Sequence, residues 1–198
     1  MAIQSVELSD QKDTVTWKWT ADGLYSARSA YNIQFIGSVS VQWDTVIWKA
    51  STEPKCKFFG WLAILNKLNT AENLQRKGWP CAEFCALCYC EQETVQHLLV
   101  ECFFAEAVLT DISQRHDLPR ISIHLSIEQA LSAVCQGQSK RKKRVNAGIL
   151  LYTWWELWKE RNRRIFNDEE RSYKQVVNQI TEDVHLFSVA GTQEENYS

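Results

Sequence analysis

The chain is poor in residues that break or slacken a backbone. Three prolines and seven glycines in 198 residues are too few for long flexible linkers or a collagen-like segment. It has no apolar run of the ~20 residues that a membrane span requires. Its most apolar stretch, Ala147 to Trp158, is short and broken by Glu156. The amino end, Met1 to Glu7, has neither a positive n-region nor an apolar h-region, so no secretory signal is expected. The expected compartment is nuclear or cytoplasmic, with no membrane as partner. Signatures of common catalysis are missing too: there is no Walker glycine loop, no G-x-S-x-G elbow and no H-E-x-x-H. His116 and Asp117 are merely adjacent and read as a loop feature. An enzyme and a small-molecule substrate are therefore not expected. Nor is there a large excess of charge. With 22 Lys and Arg against 24 Asp and Glu, the net charge is −2, so any polyanion must be held by a local patch.

What the chain does have is a globular composition, 45% hydrophobic and 23% charged, with nine tryptophans. Thr14 to Trp19 alternates in the manner of a strand, and Asp22-Gly23 supplies a turn, so a small hairpin is expected near the start. Ser26 is a candidate cap for a helix through Ile36. Pro54 precedes a strongly apolar helix, Cys56 to Leu68, with Phe58, Phe59, Leu62 and Leu65 as core positions. Thr70 is a candidate cap for Ala71 to Lys77, with Gly78 as left-handed terminator. Further helices are expected over Phe103 to Gln114, Ile127 to Val134, and from a basic connector, Lys140 to Arg144, onward to Ile165. The last, Ser172 to Phe187, carries Tyr173, Val176, Val177, Ile180, Val184 and Phe187 on one face. The expected fold is mostly α with a small N-terminal β-hairpin.

Five of the seven cysteines lie between Cys81 and Cys102, and without an export signal such crowding favours metal over disulfides. Cys85-x2-Cys88 can grip an ion through a tight turn, and His97-x4-Cys102 can close a tetrahedron from a helix or its end. Thiolates and an imidazole suit zinc. Four protein donors leave no position for an activated water, so the expected cofactor is one structural Zn²⁺ per chain. Cys81 or Cys90 can replace Cys85 or Cys88 in another register. Cys56 and Cys135 read as small core residues. Thr94 can cap the helix that aims the imidazole, and Glu93 can serve as a partner behind the ligands.

Charge is unevenly spread. Between Lys140 and Arg164 there are nine basic residues (Lys140, Arg141, Lys142, Lys143, Arg144, Lys159, Arg161, Arg163 and Arg164) against Glu156 and Glu160 alone. A positive stripe of this kind suits phosphate, held in a salt-dependent and largely sequence-blind way. It equally fits a solvated helix end, and Lys140 to Arg144 also fits a nuclear import signal or a plain linker. Trp17, Trp19, Trp48, Trp61 and Trp158 lie on apolar faces and are expected to pack inward. Trp79, beside Pro80, is the candidate for an exposed stacking platform.

These residues resemble a known family. Asp22-Gly23-x-Tyr25-Ser26-x-x-Ser29-Ala30-Tyr31, Trp43-x4-Trp48, Pro54-Lys55-x-Lys57-Phe58-Phe59-x-Trp61-Leu62 and Asn66-Lys67-Leu68-Asn69-Thr70 look like its opening. Arg76-Lys77-Gly78-Trp79, Cys85-x-Leu87-Cys88, Glu93-Thr94-x-x-His97-Leu98-Leu99 and Cys102 continue it. The family is the zinc-binding domain that follows reverse transcriptase in plant LINE-type (non-LTR) retrotransposons. Trp155-x-x-Trp158-Lys-Glu-Arg161-Asn162-Arg-Arg-Ile-Phe166 is similar to a helix often found downstream in the same polyproteins. Val108-Leu109 stands where the family usually has a tryptophan, and Cys81 and Cys90 are extra. The chain shows no paired-aspartate hairpin of a polymerase palm, and its start with Met shortly before the domain suggests a freestanding descendant. The expected organisation is an extension over residues 1–13, the zinc-binding domain that the resemblance implies over 14–118, a helical region with the basic segment over 119–190 and a disordered tail over 191–198. The expected function is non-catalytic zinc binding with affinity for RNA or single-stranded DNA. The alternative is a host-recruited protein–protein interaction module, a regulator or part of a selfish or defence system, without nucleic acid.

Overall fold

The structure, a computed structural model, describes residues 16–33, 43–82 and 84–194. The chain divides into two compact units, residues 1–41 and residues 42–198. In the first, Gly23 (φ +68°) turns the chain so that the Trp17 amide reaches the Gly23 carbonyl at 2.8 Å. Trp17 packs edge-on against Tyr25 at 5.0 Å. The expected hairpin is not formed among the described residues. Two backbone bonds, from the Trp17 amide to Gly23 and from the Gly23 amide to Thr20, close a short turn there rather than a ladder. Thr14 and Val15 lie outside the described residues, as does the extension 1–13. Ser26 does cap α1 (Ala27–Ile33), accepting the Ser29 amide at 3.1 Å. Residues 34–36 of the expected helix lie outside the described residues.

The second unit is helical: α2 (Asp44–Lys49), α3 (Pro54–Ile64), α4 (Ala71–Arg76), a π-helical turn (His97–Glu101), α5 (Phe103–Arg115), α6 (Ile127–Cys135), α7 (Lys140–Asn167) and α8 (Tyr173–Glu194). Among the described residues the only β feature is an isolated bridge between Phe84 and Gln92. Helix α3 ends four residues before the expected Leu68. Asn66 adopts φ +52°, and the Asn66 and Lys67 amides bond the Ala63 and Leu62 carbonyls at 3.0 and 2.8 Å. That is a Schellman stop with Asn in the place of Gly. Gly78 (φ +79°) ends α4 the same way, with its amide on Gln75 and that of Trp79 on Leu74.

Helix α7 is the axis of the unit, packed against α2, α3, α5, α6, α8 and the π-turn. The basic run is therefore no connector. Ser139 caps the helix by accepting the Lys142 amide, and Lys140 to Arg144 form its first turns. Two glycines permit close approaches along α7. A Cβ on Gly148 would lie 2.2 Å from the Ser51 carbonyl oxygen, and one on Gly60 of α3 would lie 2.3 Å from Leu151. Trp154 is wholly buried in this core, with Leu150, Leu151 and Leu157. Burial of a ring of that size contributes about 4–6 kcal/mol. Trp155 and Trp158 pack on Phe59, at 5.4 and 5.9 Å between centroids. Against expectation, Trp19, Trp48 and Phe58 are about half exposed. Phe58 sits about 100° around α3 from the core position Phe59 and lies beside Trp61, with 5.8 Å between ring centroids. Helix α8 buries Val176, Val177 and Ile180 as expected and runs on to Glu194, past the expected end at Phe187. Residues 195–198 of the expected tail lie outside the described residues.

Candidate metal centre

Cys85, Cys88, His97 and Cys102 are all buried, and their donor atoms lie within 4.8 Å of one another. The Cys88 Sγ is 3.2 Å from His97 Nε2, so Nε2 is the inward-facing nitrogen. Cys85 to Cys88 form a tight knuckle. The Cys88 and Tyr89 amides both turn back to the Cys85 carbonyl, and the Cys85 amide bonds the Glu91 carbonyl at 2.7 Å. Tyr89 takes φ +58° to complete it.

The second pair depends on an unusual winding. An α-helix turns ~100° per residue, so residues five apart would point about 140° away from each other. Here the chain winds wider. The Cys102 amide bonds the His97 carbonyl at 2.8 Å, an i to i+5 closure that brings both ligands to one side. Turns of this kind concentrate at functional sites. Thr94 starts the segment, its Oγ1 accepting the His97 amide at 2.9 Å as expected. Gln96 then ties it to α6 through Leu125 and Ile127.

The donor set fits a zinc ion. A tetrahedron with Zn–S near 2.3 Å has edges of about 3.8 Å, and donors within 4.8 Å need only a small contraction to reach it. The electrostatics point the same way. The neighbouring Cys102 thiol, and then burial, push the Cys85 thiol up to about 12. The same contact holds Cys102 below its ordinary value, and a hydrogen bond with Cys85 raises His97. The Cys85 thiol therefore keeps its proton until a cation compensates the charge. Cys81 and Cys90 stand outside the cluster. The Cys81 thiol donates to the Ala71 carbonyl and the Cys90 thiol to that of Cys88.

Behind the cluster lie residues whose roles were not legible in the sequence. Glu93, 1% exposed, accepts the Ala71 amide at 2.9 Å and so caps α4, where the Thr70 side chain makes no capping bond. It also pairs with Arg161 of α7, at 2.6 Å from Nη2. Arg164 donates to the Ala86 and Leu87 carbonyls inside the knuckle, at 3.2 and 3.1 Å, and lies over the Phe104 ring. Glu160, fully buried, holds Arg164 and Arg163. Helix α7 thus clamps both loops of the cluster.

This corrects the expected positive stripe. Arg161 and Arg164 are spent on interior carboxylates and carbonyls. Arg163 is tied to Glu160, and Lys159 bonds Glu156 at 2.5 Å. In the run from Lys140 to Arg144, Lys142 pairs with Asp117 and the Arg144 Nε donates to the Lys49 carbonyl. Trp79 is 65% exposed, as expected of a platform.

The helical unit thus encloses a buried Cys₃His cluster, with donors from a knuckle and a π-turn, that could hold a metal ion. Residues 25–108 match the family described as zinc-binding in reverse transcriptase. That match, over less than half of the chain, fits a zinc-binding domain of retrotransposon origin. Over 95 residues the chain is 27% identical to an Arabidopsis thaliana protein named as a ribonuclease H protein. The alignment covers 46% of this chain and 15% of that relative's length. No solved structure matches the chain. Among the described residues, no helix is long and apolar enough to cross a membrane.

Proposed function

We propose that the chain is a non-catalytic, zinc-organised protein that binds single-stranded nucleic acid. Cys85, Cys88, His97 and Cys102 hold one Zn²⁺, which supplies a fixed tetrahedral node joining knuckle to π-turn. Four protein donors fill that shell, which suits structure and not hydrolysis. Lys140, Arg141, Lys142, Lys143 and Arg144 contact phosphate, with Trp79 offering a ring for an unpaired base. The observation that carries this reading is the gathering of five cations at the first turns of α7, in a protein whose net charge is −2. There the positive end of the helix dipole adds to them, an arrangement that costs stability until an anion neutralises it.

Salt-titrated fluorescence anisotropy with a single-stranded 12-mer RNA tests it. Binding should weaken with rising salt at a slope of about −0.7 per phosphate contact, and changing all five cations to Gln should abolish it. Affinity weaker than millimolar in low salt, or unmoved by those changes, rules the reading out. The second reading, a protein-interaction module, draws support from the exposed rings of Trp48 and Phe58, which flank the partly buried Trp61. It predicts RNA-independent partner capture that Phe58→Ala weakens.

A further inference from the structure

Where α2, α6 and the start of α7 meet, a pocket of about 480 Å³ is lined by Thr45, Val46, Lys49, Cys135, Lys140, Lys143 and Arg144. Four of these seven residues are cationic and none is acidic. Their assembly follows from helix geometry. Lys140, Lys143 and Arg144 are spaced i, i+3, i+4 and so share one face of α7, while Lys142 reaches the Asp117 carboxylate instead. Lys49 comes from the last turn of α2, some ninety residues away in sequence. Its carbonyl accepts the Arg144 Nε at 2.9 Å, which fixes that guanidinium and leaves its two NH₂ groups for another acceptor. None of the four cations has a carboxylate partner among the described residues.

We propose that this pocket receives one phosphate and its attached nucleoside from a single-stranded nucleic acid, with Lys49 as a contact equal to those of α7. The proposal rests on the nucleic-acid reading and gives it an address. Charge complementarity selects the phosphate, because four unpaired cations in one concavity repel one another until an anion enters. The floor selects what the phosphate is attached to. Val46, the Cys135 thiol and the aliphatic stems of the lysines are apolar, and a nucleoside can lie on them as a hydrated inorganic ion would not. The volume falls in the range of sites that enclose small organic groups. An acidic protein segment would satisfy the cations, but its carboxylates carry no ring of their own to cover the apolar floor.

The test uses the zinc-loaded full chain and the same 12-mer RNA. Lys49→Gln/Lys143→Gln is compared with Arg120→Gln/Lys174→Gln, which removes equal charge from exposed positions outside the pocket. Zinc content and thermal midpoint are measured for each, to confirm that both fold. At 50 mM salt the pocket pair should weaken RNA binding at least tenfold and flatten the salt slope by about 1.4, from two contacts at ~0.7 each. The outside pair should change affinity less than threefold. If the unaltered protein binds no RNA, the nucleic-acid reading falls and the proposal with it. If it binds RNA and both pairs weaken it equally, the reading stands and the pocket is overturned. If a poly-glutamate 12-mer binds as tightly as RNA and loses as much with the pocket pair, the site belongs to an acidic protein segment and the nucleotide assignment is wrong.

Discussion

Glu93 holds three parts of the molecule at once. Its carboxylate caps α4, pairs with Arg161 of α7, and is followed directly by Thr94, which starts the segment bearing His97. Because both partners of the ion pair are buried, removing one leaves the other uncompensated. Glu93→Gln should cost about 3–5 kcal/mol, read from urea unfolding of the zinc-loaded protein. An unchanged midpoint would show that the pair is dispensable. Gly148 makes a second case. Elsewhere in a helix Ala would be better than Gly by ~1 kcal/mol, but here the new Cβ would meet the backbone oxygen of Ser51. Backbone cannot swing aside, so Gly148→Ala should lower stability by about 1–3 kcal/mol. A gain in thermal midpoint would contradict that close approach. At the metal centre, the raised Cys85 thiol keeps its proton at neutral pH in the metal-free protein. Zinc must displace it, so apparent affinity should rise at least about tenfold per pH unit between pH 6 and 7.5. Chelator competition at several pH values measures this, and a flat profile would argue against proton release.

At the scale of elements, α7 is the part whose role was hardest to read. The helix starts at Ser26 and Ser172 and the stop at Gly78 were legible because capping is local, and sequence spacing pointed to the gathering of Cys85, Cys88, His97 and Cys102. The start at Ser139 was hidden because the basic run reads as a connector. The early end of α3 was not, since Asn66 adopts the left-handed conformation usually left to Gly. Nor was the π-turn, because spacing alone does not say how widely a helix winds. Arg161 and Arg164 looked like surface charge, since their partners lie about seventy residues away in the chain. From this clamp it follows that a fragment ending at residue 118 should lack a cooperative unfolding transition in circular dichroism, even with zinc. It loses Trp154 from the core and both arginines from the cluster. A sharp two-state melt would refute the clamp. The seam between α7 and α8 offers a pH test. Burial, with the Asp183 carboxylate adding to it, raises Glu156 above its ordinary value, although Lys159 opposes the shift. The folded state thus penalises the ionised form. That penalty is absent below the unfolded pKa and complete above the folded one. Glu156→Gln should therefore be neutral near pH 4 and stabilising at pH 7, which thermal melts at the two values would check.

For the molecule as a whole, α7 separates two kinds of chemistry. Its first turns carry cations toward solvent, while its last turns bury arginines against the knuckle and Glu93. About seventeen residues at 1.5 Å each put roughly 25 Å between Arg144 and Arg161. The metal centre therefore acts on the basic end through the packing of the helix and not by touching the same ligand. All of this presupposes that the buried Cys₃His cluster is a zinc site. Native mass spectrometry of the full chain, with and without chelator, measures that directly. One zinc per chain, removed by chelator and absent from Cys88→Ser, is the predicted result. A metal-free mass that does not change on adding zinc, or zinc retained equally by Cys88→Ser and Cys102→Ser, would contradict it.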